Sequence, residues 1–271
     1  MQVFQTIEKS KRIFDTGNHP ILVLCNDLNE WVCKYDPSTK SLFNEVLASK
    51  FADIWEIPTP SICLIKVKEE HISDFIPRIQ PSMILKECFG SFYLKNTHYI
   101  DLTIISAFDD KSFVNKISDK YDYLKIALFD IWLSNEDRNY NNSNLLLNIL
   151  PESKMEFVAF DHGAIFNTNN LHNGLYIINA DDTIINTDIC KKLFSANKQL
   201  FENVDMLLEK FYLYTEVCLL RLDEILLEIP KSWNIDVIEY KRLMEKQLFS
   251  KEWIHQCEQA FRKYIQLYII N

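Results

Sequence analysis

The sequence predicts an α+β fold, with strands gathered in the first third of the chain and helices dominating the rest. Three observations predict it. Short apolar runs bounded by turn residues recur before residue 90, the pattern of strands joined by tight turns. Apolar residues return at helical spacing in 121–133 and again from residue 188 onward. Between these helical stretches lies a polar, Asn-rich loop followed by two short apolar runs. With 271 residues and 48% hydrophobic content, the chain can bury an ample core as one bilobal domain or as two small ones.

The elements follow in order. Pro20-Ile21-Leu22-Val23-Leu24-Cys25 reads as a strand, Asn26-Asp27-Leu28-Asn29 as a turn, and Glu30-Trp31-Val32-Cys33-Lys34-Tyr35 as the returning strand. Pro37-Ser38-Thr39 can open a helix whose apolar stripe is Leu42, Phe43, Val46, Leu47, Phe51, Ile54 and Trp55. Glu45 lies inside that stripe, where a carboxylate is costly unless paired. Ala48 and Ser49, one turn later, are small enough to let a long partner reach it, and Lys34 is the obvious partner. Ile57-Pro58-Thr59-Pro60 stops the helix, and 61–67 is the next strand. In 121–133, Leu124, Ala127, Leu128 and Ile131 mark a helix ending near Ser134. The loop 135–144 follows, rich in residues that tolerate tight or left-handed backbone. Leu145-Leu146-Leu147 reads as a short buried strand, and 156–160 as its hairpin partner across Pro151-Glu152-Ser153-Lys154. The segment 165–186 is polar and aperiodic, with Thr168, Thr183 and Thr187 as candidates for regulation. Helices are expected over 193–201, 205–228, 235–248 and 253–270.

Within this frame two carboxylates stand out. Asp137 lies five residues before Asn142, and Asp161 ends an apolar run just ahead of His162 and Gly163. Phosphoryl transfer asks a protein for in-line positioning and neutralised phosphate charge more than for covalent help. Mg²⁺ takes oxygen ligands, which Asn142 and Asp161 can supply. Asp137 can accept a hydrogen bond from an attacking hydroxyl. Such a site also needs a Lys on a strand, held by a Glu on the next helix, and Lys34 with Glu45 fits that description. Arg138 would pair with a phosphate or brace the loop, and Asn144 would support the loop. Glycine is scarce for a phosphate-covering loop: of Gly17, Gly90, Gly163 and Gly174, only Gly17 lies in the right place.

These segments resemble the HipA-like protein kinases, and especially their shorter, single-domain bacterial group. The resemblance runs from about Ile21 to the final helices. It rests on the Asn-x-Asp-Arg segment 135–138, on Asn142 with Asn144, and on Phe160-Asp161-His162-Gly163. It implies a two-lobed protein-kinase-like fold: residues 1–90 as a β-rich, nucleotide-binding N-terminal lobe, and 91–271 as a mainly helical lobe with the catalytic loop. It implies transfer of the γ-phosphate of ATP, with Mg²⁺, to a Ser/Thr hydroxyl of a protein or of the chain itself. Asp137 is then the catalytic Asp, Asn142 and Asp161 hold the metal, and Lys34 and Glu45 serve the phosphates. The backbone around Glu87, Cys88 and Phe89 would meet the adenine edge, because the group has a Phe-Gly pair at the inter-lobe hinge. An antitoxin-like partner protein is compatible with the resemblance, although little chain precedes Ile21 for the subdomain that full-length toxins pack against theirs. Type II phosphatidylinositol kinases share a similar Asp-Arg loop. The alternatives are therefore a catalytically weak ATP-binding regulatory module, motivated by the scarce glycine, and a small-molecule or lipid kinase.

The charge narrows the choice. A net charge of −9 argues against direct nucleic-acid binding, which needs a basic footprint, and against an anionic membrane surface. No apolar run is long enough to span a membrane, and no secretory hydrophobic region opens the chain. Seven cysteines, with no Cys-x-x-Cys, sit mostly in apolar strands and helices. They point to a reducing cytoplasm rather than to disulfides or zinc.

Overall fold

The computed structural model describes every residue except 11, 17, 18, 73–80, 85, 195–198 and 271. Gly17, the glycine expected over the phosphates, therefore lies outside the described residues, as does part of the helix expected over 193–201.

The N-terminal lobe is a six-stranded sheet. Its strands are β1 (Val3–Gln5), β2 (Arg12–Ile13), β3 (Ile21–Leu24), β4 (Glu30–Lys34), β5 (Ile62–Lys66) and β6 (Cys88–Phe92), in the spatial order β1-β5-β6-β4-β3-β2. Only the β1–β5 pair is parallel. Past β1 the chain bridges from Thr6 to Cys25, and Ile7 N–H donates to Leu24 O at 3.0 Å. The sheet thus curls until its two sides meet. Strand alternation sends Ile21, Val23, Trp31, Cys33, Cys63, Ile65 and Cys88 into the enclosed interior. Gly90 is needed there: a Cβ on it would lie 2.6 Å from Cys63 Sγ and 2.6 Å from Ile65 Cδ1.

Helix α1 (Lys40–Ile54) lies against the other face of the sheet. The sequence suggests one apolar stripe, yet ten of its 15 residues are buried, because the helix is enclosed by the sheet on one side and the helical lobe on the other. At its start Thr39 takes a left-handed conformation (φ 57°) and makes no side-chain cap. Its hydroxyl donates instead to Trp233 O at 2.7 Å. At its far end Trp55 stacks on Trp132 (5.3 Å between rings, 20°) and on Tyr214 (5.5 Å, 26°) and meets Phe211 at 5.6 Å. The buried side of α1 thereby belongs to one continuous core with the helical lobe, separate from the sheet interior.

After the short α2 (Pro81–Ile84) and β6, the chain passes into the second lobe. This lobe holds a three-stranded sheet, β7 (Thr97–Tyr99), β8 (Leu145–Ile149) and β9 (Met155–Ala159), in the order β7-β8-β9. Between β7 and β8 come α3 (Leu102–Ala107), α4 (Lys111–Val114) and α5 (Tyr121–Leu133). Helix α5 stops at Ser134 through a left-handed residue (φ 51°), where the sequence places its end. The turn α6 (Ile165–Asn169) carries left-handed Phe166, Asn167 and Thr168. Then follow α7 (Asp188–Phe194), α8 (Leu200–Leu220), α9 (Leu222–Leu226), α10 (Val237–Lys246) and α11 (Lys251–Ile265). The single helix expected over 205–228 is two, α8 and α9, parted at Arg221.

Candidate active site

The site forms where β4, α1, the loop after α5 and the turn after β9 meet. On β4, Trp31 and Cys33 face the sheet interior, so Lys34 faces the opposite way, toward α1. Lys34 Nζ lies 2.5 Å from Glu45 Oε1 and 2.7 Å from Asp161 Oδ1. The pairing expected for Glu45 is therefore present, and a second carboxylate from 127 residues away joins it. The other oxygen of Glu45 accepts the His162 N–H at 3.1 Å, so one buried carboxylate holds both the strand Lys and the segment that carries Asp161.

The electrostatics follow from this packing. Burial raises the Glu45 carboxyl, and Asp161 adds to the rise; Lys34 opposes both, leaving Glu45 at about 7. Burial alone would depress Lys34, but Glu45 and Asp161 outweigh it and keep the ammonium charged. Asp161 also feels burial, yet the Lys34 charge and hydrogen bond prevail and hold it down at about 2. Asp161 takes a left-handed backbone conformation (φ 58°), uncommon for a residue other than glycine.

Asp137 faces the same cleft. Its carboxylate accepts Asn144 Nδ2 at 2.9 Å, and its own N–H donates to Asn135 Oδ1 at 3.3 Å. Asn144 is buried and opens β8 with φ 44°. Asn142 also lines the cleft, but it is exposed, and it bonds through its backbone: its N–H donates to Asn139 Oδ1 at 3.3 Å and its carbonyl accepts the Asn139 N–H at 2.9 Å. The structure thus brings Asn144, not Asn142, against Asp137.

Arg138 is fully buried and does not line the cleft, a placement that fits the second of its two expected roles, bracing the loop, and not contact with a phosphate. Its Nη1 pairs with the buried Asp130 of α5. Nη2 donates to Phe160 O at 2.8 Å and to His162 Nδ1 at 3.3 Å, and Nε to Asn144 O at 3.4 Å. Burial, then the Arg138 and Lys34 charges, push His162 well below its usual range. The imidazole is neutral, with its proton on Nε2 when Nδ1 accepts from Arg138.

The expected adenine edge is only partly in place. Phe89 lines the cleft, paired with Lys34 across β4 and β6. Cys88 is buried in the sheet interior, and Glu87 turns away to accept Ser232 Oγ and, through its carbonyl, Trp233 Nε1 at 2.6 Å. The inter-lobe link lies past β6, where Tyr93, Leu94 and Lys95 line the cleft. The Phe-Gly pair sits in the middle of a central strand, and nothing in so short an apolar run marks where the strand ends.

Sequence reasoning also passed over Asp130 and Asn44. Asn44 Nδ2 donates to Gly163 O (2.9 Å) and Asn169 Oδ1 (2.8 Å), tying α1 to the turn after Asp161. Both are polar residues within otherwise apolar helix faces, the same signal that exposed Glu45. Of the three candidate threonines, only Thr168 lines the cleft; Thr183 is buried and donates to Ala180 O, and Thr187 bonds Tyr123.

The cleft encloses about 830 Å³, within the range of small-ligand sites. Val32 and Leu146 contribute apolar wall, and Lys34, Asp137 and Asp161 contribute charge. A β-rich lobe and a helical lobe enclosing such a cleft define a protein-kinase fold. Over 98% of its length the chain is similar to the crystal structure of a Helicobacter pylori proinflammatory kinase, CtkA, with a TM-score of 0.57, 15% identity and 99% of that chain covered. It is also similar to the Golgi casein kinase, with a TM-score of 0.51 and 11% identity over 98% of this chain and 76% of that one. No curated protein matches it. The HipA-like kinase family matches residues 7–263, nearly the whole chain, and the chain belongs to that family. Family and fold together support a protein-kinase-like phosphotransferase.

Proposed function

We propose that the chain is an ATP- and Mg²⁺-dependent kinase that transfers the γ-phosphate to a Ser/Thr hydroxyl of a protein. One observation carries the reading: Lys34 sits within 2.7 Å of both Glu45 and Asp161, and Asp137 faces the same cleft. Lys34, charged and fixed by Glu45, binds phosphate oxygens. Asp137 accepts the hydrogen bond of the acceptor hydroxyl and orients it in line. The donor set suits a hard cation: Asp161 offers an ionised carboxylate, and Asn144 keeps its amide oxygen while its nitrogen serves Asp137. Asn144 thus takes the amide role first given to Asn142. Bound Mg²⁺ supplies neutralisation of the phosphate charge. Tyr93, Leu94 and Phe89 bound the adenine end in this reading. All seven cysteines are free and buried, which supports a reducing cytoplasm. Among the described residues no helix is long and apolar enough to cross a membrane.

The test is transfer of label from γ-labelled ATP with Mg²⁺ to protein acceptors, with intact-mass analysis of the chain itself. Wild type is expected to transfer, and Asp137→Ala and Asp161→Asn to lose at least about a hundredfold in rate. Undiminished turnover in both variants would sink the mechanism. Nucleotide binding without transfer to any protein would point instead to a regulatory module or to a small-molecule acceptor.

A further inference from the structure

The groups that carry the proposed chemistry are joined by one guanidinium that never reaches the cleft. Arg138 follows Asp137 directly. Its Nε grips the carbonyl of Asn144, and Nη2 grips the carbonyl of Phe160 and the ring of His162, the two neighbours of Asp161. Arg138 in turn is held by the Asp130 carboxylate. The same Asp130 oxygen accepts Asn135 Nδ2 at 2.9 Å, and Asn135 Oδ1 accepts the Asp137 N–H. Asp130 therefore reaches Asp137 by two routes and Asp161 by a third.

We infer that Asp130 is a positioning residue for the reaction proposed above, acting through Arg138 to fix Asp137, Asn144 and Asp161 relative to one another. The inference rests on that reading for its chemistry and on the hydrogen-bond geometry for its substance. A guanidinium presents its N–H groups in one rigid plane. Once Asp130 fixes that plane, the three acceptors opposite it are fixed as well. With Arg138 and Asp130 0% and 1% exposed, rotation would strand a charge away from water, so the plane holds. Asp161 needs the support, because it sits left-handed between the two gripped residues. The role also accounts for a histidine at 162: its Nδ1 is an acceptor for a donor of a buried guanidinium, and a phenyl ring would leave that donor unsatisfied.

The experiment combines steady-state kinetics with crystal structures of three variants. Asp130→Asn keeps the shape and removes the charge. It is expected to lower kcat at least about tenfold, as displacement of reacting groups does, while KM for ATP changes by less than about threefold. His162→Phe is expected to lower kcat in the same manner, and His162→Asn, which restores an acceptor oxygen, to recover part of the loss. In the Asp130→Asn crystal the Lys34–Asp161 contact of 2.7 Å and the Asn144–Asp137 contact of 2.9 Å are expected to be broken. A folded Asp130→Asn enzyme with wild-type kcat, or a crystal in which both contacts persist, overturns the proposal. If Asp130→Asn does not fold, the His162 pair decides by the same two readouts. If the wild type transfers no phosphate, the kinase reading fails and the crystal structures alone decide the positioning.

Discussion

Asn144 and Asn142 stand two positions apart and in different surroundings. One is buried against Asp137; the other is exposed at the cleft rim. Asn144→Ala is expected to lower phosphate transfer at least about tenfold, by analogy with other removed charge-positioning donors, and Asn142→Ala to do less, as measured with γ-labelled ATP. Asp161 carries a pH signature. Its folded carboxyl lies near 2, below its ordinary 3.8, so its contribution to stability is present above about pH 4 and lost as pH falls through about 2. The melting temperature of wild type should thus drop more steeply than that of Asp161→Asn between those limits, and parallel curves would refute the pairing. Arg138→Ala strands Asp130 in the interior and is expected to cost about 3–5 kcal/mol by denaturant unfolding. Much of this site was legible in sequence because phosphate chemistry demands particular side chains at constrained spacing, and because Glu45 stood out as a charge on an apolar face. Asp130 carried the same signal on α5. It went unread because its partner lies in the following loop, where periodicity says nothing.

The strands and helices divide according to how strongly each one marks itself. Strands β3 to β5 and helices α1 and α5 were readable, since each is a periodic or apolar run closed by Pro, Asn or Asp. Strand β7 was not: Thr97–Tyr99 is three residues long, and only its pairing with β8 makes it a strand. The left-handed turn after Asp161 was equally hidden, because Phe166 and Thr168 do not favour that backbone locally; hydrogen bonds from Asn44 impose it. At β6 the close approach of Gly90 to Cys63 and Ile65 gives a direct test. Gly90→Ala is expected to lower stability by about 1–3 kcal/mol, the usual cost of overpacking, measurable as a shift in the urea midpoint. An unshifted midpoint would mean that the curled sheet yields more readily than its packing implies.

Across the whole molecule, the core decides what moves with what. Trp55 joins α1 to α5 and α8, and Trp55→Ala is expected to cost about 3–5 kcal/mol and to loosen both lobes in one transition, followed by tryptophan-independent circular dichroism. Two separate transitions would contradict a core shared by α1 and the helical lobe. The division into lobes was foreseeable from the order of strands and helices; the allegiance of α1 was not, because a sequence does not say on which of two sides a helix enclosed from both is anchored. The double anchorage, at Thr39 by Trp233 and at Trp55 by the aromatic cluster, has a mechanical consequence. With α1 pinned at both ends to the helical lobe and Glu45 tied to His162, the sheet is the part left to turn, about the tie of Glu87 to Ser232 and Trp233. When the cleft opens, Lys34 has to leave Glu45 and Asp161 together, in one stroke, while the two carboxylates stay where they are. Under the proposed function, release of a spent nucleotide would then be a withdrawal of the lysine-bearing strand, not a swing of the helix.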